Sequence, residues 1–167
     1  MARLPDRRVP LFVLAVTIFL ADRASKWWVA RHIVSGFGRI IIPHVFRITH
    51  VMNNGAAFSL FAGGNEEHVR WALIVFSAIA VLLMMVVITA YGRKVTPTTL
   101  AFALILGGAA GNLFDRIQLG EVVDFLEFHI GSYHYPDFNL ADSAIVIGGL
   151  LIFIASFRSD GKKTSQE

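Results

Sequence analysis

Cysteine is absent from the 167 residues. That removes disulfides, a thiol nucleophile and thiolate metal sites at once. Charge is scarce too: Asp, Glu, Lys and Arg make up 16% of the chain against 55% hydrophobic residues. Such a balance suits an integral membrane protein better than a soluble domain. The net charge of +3 falls in short clusters at the ends of apolar runs. Membrane topology is therefore the better reading and a nucleic-acid partner a poor one. No HExxH motif, internal repeat or low-complexity tract is present.

What is present is apolar sequence in long runs. The pattern predicts an all-α integral membrane protein with four transmembrane helices, over about 10–34, 71–91, 98–116 and 138–157. The whole chain, 1–167, reads as one membrane-embedded domain. The first run follows Arg3, Arg7 and Arg8, a start that also describes a secretory signal peptide. No small-x-small cleavage site follows it; Asp22, Arg23, Lys26 and two tryptophans do. An outer segment, about 35–68, is mixed. Within it Phe46 and Ile48 alternate with Arg47 and Thr49, which predicts a short strand or hairpin forming a small β-rich extracytoplasmic cradle. Asn53-Asn54-Gly55 reads as a turn, as does Gly63-Gly64-Asn65. Gly107 and Gly111 have the small-xxx-small spacing of close helix packing. The stretch 117–137 reads as an outer loop, a flexible roof between Asp124 and Asp142.

Basic residues assign the sides. Arg3, Arg7 and Arg8, then Arg93 and Lys94, then Arg158, Lys162 and Lys163 mark one side, while 117–137 has no Lys or Arg. The positive-inside rule puts both termini in the cytoplasm. Asp22 and Lys26 then fall in the outer half of the first helix. Asn112 and Arg116 fall at the outer end of the third, and Asn139 and Asp142 at the outer start of the fourth. Asn53 and Asp124 lie on outer loops. Each pair has a bland alternative: a helix end for Asp22 and Lys26, a snorkelling anchor for Arg116, an N-cap for Asn139 or Asp142. Convergence at one depth favours a site, because independent caps and anchors would appear at both faces.

Asp124 and Asp142 are carboxylates beside hydrocarbon, hence a functional hypothesis by default. Two carboxyls sharing one proton can supply an acid and a base together. Ser59 or Ser143 as nucleophile lacks an evident base. Glu127, His129 and His134 could conceivably hold a metal. No metal and no cofactor is expected in the chemistry. A proton-coupled transporter is the rival reading, and a non-catalytic assembly factor a third. A transporter should carry polar residues through the full depth of the bundle, whereas the cytoplasmic halves here are almost wholly apolar.

The chain resembles the bacterial lipoprotein signal peptidases, or signal peptidase II. The resemblance runs from Asp22 to Asp142. It rests on Asp22 with Lys26, on Asn53-Asn54-Gly55 and the small residues after it, on the run from Gly107 to Arg116, on Val122-Val123-Asp124-Phe125, and on Phe138-Asn139-Leu140-Ala141-Asp142-Ser143. It implies an aspartic endopeptidase of the bacterial inner membrane whose catalytic pair is Asp124 and Asp142. Asn53, Asn112, Arg116 and Asn139 would bind substrate main chain, with Asp22, Lys26 and Gly55 in support; alignment on Gly55 favours Asn53 over Asn54. The implied partners are membrane lipids and prolipoproteins bearing a diacylglyceryl-modified cysteine, cleaved just before that cysteine. The implied inhibitor is the cyclic peptide globomycin.

Overall fold

The structure, a computed structural model, describes residues 6–55, 66–131 and 133–160. The expected turn at Gly63-Gly64-Asn65, Ser59, and the basic residues Arg3, Lys162 and Lys163 lie outside the described residues. Four helices form the body: α1 (Arg8–His32), α2 (Glu66–Tyr91), α3 (Pro97–Gln118) and α4 (Leu140–Asp160). By length and composition three stretches can cross a membrane: Glu67–Tyr91, Pro97–Gln118 and Leu140–Phe157. α1 is long enough but carries Asp22, Arg23 and Lys26 in its second half. The fold is thus a helical, membrane-type one with three strongly apolar helices.

α3 is the axle, packed against α1, α2 and α4. Its start is sharply specified. The Thr96 hydroxyl accepts from the Thr99 amide while the Thr99 hydroxyl accepts from the Thr96 amide, a capping box with Pro97 in the first turn. Its glycines permit backbone contact with two neighbours. A Cβ on Gly107 would stand 2.5 Å from the Ala15 carbonyl oxygen of α1, and one on Gly108 would stand 2.4 Å from the Ala141 carbonyl oxygen of α4. Small residues at such crossings supply the close packing that drives association where lipid weakens the hydrophobic effect. Leu11, Ala15, Ile88, Ala103 and Leu106 form the apolar core beside them.

One end of the bundle carries a four-stranded antiparallel sheet in the order β1-β2-β3-β4. Its strands are β1 (Gly38–Ile42), β2 (Phe46–Asn53), β3 (Val122–Ile130) and β4 (Tyr133–His134). The expected hairpin in 35–68 is therefore present. The stretch 117–137, expected as a loop, is not one. It holds β3 and β4, and β3 pairs with β2 through Val51–Asp124 and Asn53–Val122. The reason is burial: Val122, Val123, Asp124 and Phe125 are all buried, so β3 lacks the apolar–polar alternation of a half-buried strand. Phe138, just before α4, is stitched to the same strand. Its carbonyl accepts from the Phe125 and Leu126 amides at 3.0 and 2.8 Å, and its amide donates to the Leu126 carbonyl at 3.1 Å.

The glycine contacts predict substitutions of opposite sign within the α3–α4 pair. Gly108→Ala should lower stability by about 1–3 kcal/mol through overpacking. Gly149→Ala on α4, where an added Cβ meets nothing within 4 Å, should raise it by about 0.5–1 kcal/mol. Thermal unfolding in detergent reads both signs.

Candidate active site

Asp124 and Asp142 come from different elements and are joined by one asparagine. Asn139 immediately precedes α4. Its side-chain oxygen accepts from the Asp142 amide at 2.9 Å, while the Asp142 carboxylate accepts from the Asn139 amide at 3.2 Å. That reciprocal exchange over three residues is a capping box. The same Asn139 side chain donates through Nδ2 to the Asp124 carboxylate at 2.7 Å. The N-cap expected as the bland alternative is therefore real, and it also links the two carboxylates. The Leu126–Phe138 bridge explains how: it clamps the α4 entry beside β3, two residues from Asp124.

Each carboxylate has a second amide donor. Asn53 Nδ2 donates to Asp124 at 2.7 Å, and Asn53 Oδ1 accepts from the Gly55 amide at 2.8 Å. Gly55 has φ +86°, a region that favours glycine, and a Cβ there would stand 2.4 Å from Leu73 Cδ1. Asn53 thus holds Asp124. Asn112 Nδ2 donates to Asp142 at 2.7 Å, and Asn112 Oδ1 accepts from Lys26 at 2.9 Å. Burial pushes the Asp124 carboxyl up to about 6. The Asn53 bond opposes that rise, the Asp142 charge adds to it, and Asn139 and Lys26 oppose it.

Beneath the pair lies a buried ion cluster. The Lys26 ammonium sits 2.9 Å from Asp22 and 2.8 Å from Asp115, with all three side chains sealed from solvent. Asp115 also pairs with Arg23, whose guanidinium lies 4.5 Å from the Phe114 ring centroid. Two cations thus meet two carboxylates. Asp22 accepts from the Ala141 amide at 3.0 Å in the first turn of α4, and Asp115 accepts from the Val123 amide at 3.3 Å on β3. The cluster therefore ties α1 and α3 to both elements that carry the pair. Gly111 makes room for it: a Cβ there would come 2.5 Å from the Asp22 carboxylate.

The structure brings together Asp22, Lys26, Asn53, Asn112, Asp124, Asn139 and Asp142. Arg116 reaches sideways to α2, donating to the Ser77 hydroxyl at 3.3 Å. Sequence reasoning passed over Asp115 and Arg23 as participants. The signal was available, since Asp115 stands three residues from Asn112 on one helix face and Arg23 adjoins Asp22. Ser143 spends its hydroxyl on the Asn139 carbonyl at 3.0 Å.

A membrane-type helical bundle that holds one buried and one half-buried carboxyl in a cage of amides at one end has the parts of a hydrolase of the membrane. The comparisons with known proteins agree. The family model for signal peptidase (SPase) II matches residues 14–158. The lipoprotein signal peptidase of Serratia proteamaculans (strain 568) is 40% identical over 154 residues, covering 92% of this chain and 89% of its own. That of Yersinia enterocolitica serotype O:8 is 40% identical over 155 residues, covering 91% and 89%. Among solved structures, a bacterial membrane enzyme determined in meso at 2.3 Å superposes with a TM-score of 0.85 at 29% identity, covering 100% of this chain and 99% of that one. The chain belongs to the signal peptidase II family, a family of proteases.

Lys26→Met should cost about 3–5 kcal/mol of stability, because it strands two buried carboxylates. Adding Asp22→Asn should recover part of that loss. Denaturation of the single and double variants in detergent measures both; equal loss in the two would contradict the pairing.

Proposed function

We propose that this protein is an aspartic endopeptidase that removes the signal peptide from prolipoproteins, cleaving just before a diacylglyceryl-modified cysteine. The observation that carries the mechanism is Asn139, which holds Asp124 and Asp142 in one hydrogen-bonded unit. Close carboxyls cannot both ionise freely, so one keeps a proton. Burial pushes Asp124 up to about 6, so the acid role falls to Asp124 and the base role to Asp142. Asp142 takes a proton from water as the water oxygen attacks the scissile carbonyl carbon. The Asp124 proton passes to the carbonyl oxygen, giving a neutral gem-diol. Collapse breaks the C–N bond: Asp142 returns its proton to the leaving nitrogen and Asp124 recovers one from the gem-diol hydroxyl. Each carboxyl ends as it began.

Asn53, Asn112, Asn139 and Arg116 supply donors and acceptors for substrate main chain, with Gly55 shaping the turn at Asn53. The reading takes α1 as a fourth span, since Asp22 and Lys26 are sealed inside the bundle and Arg23 is paired with Asp115. Both termini then lie in the cytoplasm of a bacterium with the protein in its inner membrane. The sheet is an extracytoplasmic cradle, and the site opens near the outer surface. A lipidated substrate enters laterally with its acyl chains left among membrane lipids, and globomycin blocks that entry. The confinement of the polar network to one end of the bundle argues for this reading over a proton-coupled transporter.

The test is release of signal peptide from a diacylglyceryl-modified prolipoprotein by the detergent-purified chain. Asp124→Asn and Asp142→Asn should each abolish cleavage while the protein stays folded; a variant that still cleaves removes the pair from the mechanism. For the free enzyme, kcat/KM should fall as pH rises through about 6, because the acid loses its proton there. A flat profile across that pH would take the proton away from Asp124. Arg116→Ala should reduce processing more than it reduces thermal stability. Loss of folded protein with unchanged specific activity would instead make Arg116 structural.

A further inference from the structure

The Glu127, His129 and His134 cluster lies outside the chemistry above and has a geometry of its own. β3 and β4 form a tight hairpin in which His129 and His134 stand directly opposite each other. Cross-strand partners share a face, and so does Glu127, two residues back along β3. The side chains converge accordingly. The imidazole centroids are 4.3 Å apart, Glu127 Oε1 lies 3.0 Å from His129 Nε2, and one ligand atom from each residue falls within 4.8 Å of the others. Around a tetrahedral zinc with bonds of about 2.0–2.1 Å, neighbouring ligand atoms stand roughly 3.4 Å apart. Small side-chain rotations, with no change of backbone, close that difference.

We propose that Glu127, His129 and His134 form a divalent-cation site of the zinc type that clips the β3–β4 hairpin, separate from the carboxylate pair. Two imidazoles and one carboxylate suit zinc better than magnesium or calcium, which prefer all-oxygen shells. Glu127 is buried and oriented for the task. Arg47 Nη1 straddles the carboxylate, donating to Oε1 at 3.3 Å and lying 3.0 Å from Oε2, while Oε1 faces His129; an outer partner that holds a metal ligand's carboxylate in place is a common part of such sites. The exposed position of His134 gives the ion its entry, and water completes the coordination. The clip also bears on access to the pair. His129 lines, with Tyr135, Phe138 and Asp142, an apolar crevice of about 560 Å³. An ion on the hairpin would fix one wall of that crevice.

The experiment uses the tag-free full chain in detergent, stripped with EDTA and titrated with zinc chloride near neutral pH against a chromophoric chelator. One zinc per chain should bind, and cobalt in its place should give the visible absorption of a four-coordinate ion. His134→Ala, at an exposed position that leaves the fold intact, should weaken zinc binding by more than about tenfold and abolish the cobalt bands. Asp124→Asn should bind zinc as the parent does. The proposal is overturned if the parent binds no zinc, or if His134→Ala binds it equally well. If the stripped protein cannot cleave until zinc is restored, separateness from the carboxylate pair is wrong, whatever the fate of the aspartic mechanism.

Discussion

A single ammonium group holds the architecture of this site together. Lys26 is buried where α1 and α3 meet beside the start of α4 and β3, and it satisfies three acceptors: Asp22, Asp115 and the Asn112 side chain. A lone buried charge would cost several kcal/mol, so these acceptors are bound to remain. Each then makes a second commitment. Asp22 holds the first turn of α4, Asp115 holds β3, and Asn112 holds Asp142. The carboxylate pair is thus positioned by the electrostatic need of a residue that touches neither carboxylate.

The pair itself is built from commonplace parts. Asn139 and Asp142 form an ordinary capping box, and the Asn139 amide reaches β3 because Phe138 is hydrogen-bonded to Leu126. Local helix-start chemistry and one strand-like clamp bring two acids from separate elements into a shared cage of N–H donors. One residue serves both acids, its backbone N–H toward Asp142 and its side-chain amide toward Asp124, so their spacing is set by Asn139 rather than by loop length.

Much of this was legible in the sequence. Asp22 with Lys26 and Asn112 with Arg116 stand out because polar residues four apart in apolar runs must find partners inside. Asp124 and Asp142 stand out for the same reason, and the alternation at Phe46–Thr49 announces β2. Two things were hidden, each for a physical cause. β3 is buried along Val122–Phe125, which erases period-2 patterning, so the strand reads as loop. Asp115 sits beside Arg116 and resembles half of an interfacial ion pair; only the crossing of α1 over α3 brings Lys26 and Arg23 to it. Tertiary pairings of this kind leave no periodic trace.

The glycine contact at Gly108 has a bearing on how the protein meets its bilayer. Gly108 touches the α4 backbone at Ala141, and Asn112 stands one helical turn, about 5.4 Å, further along the same helix. The height of Asp142 against Asn112 is therefore measured in helix pitch from a hard backbone contact. Thickening or thinning of the surrounding lipid can tilt the bundle or shift its apolar belt. It cannot slide the acid along its donor, because the ruler is cut into the protein.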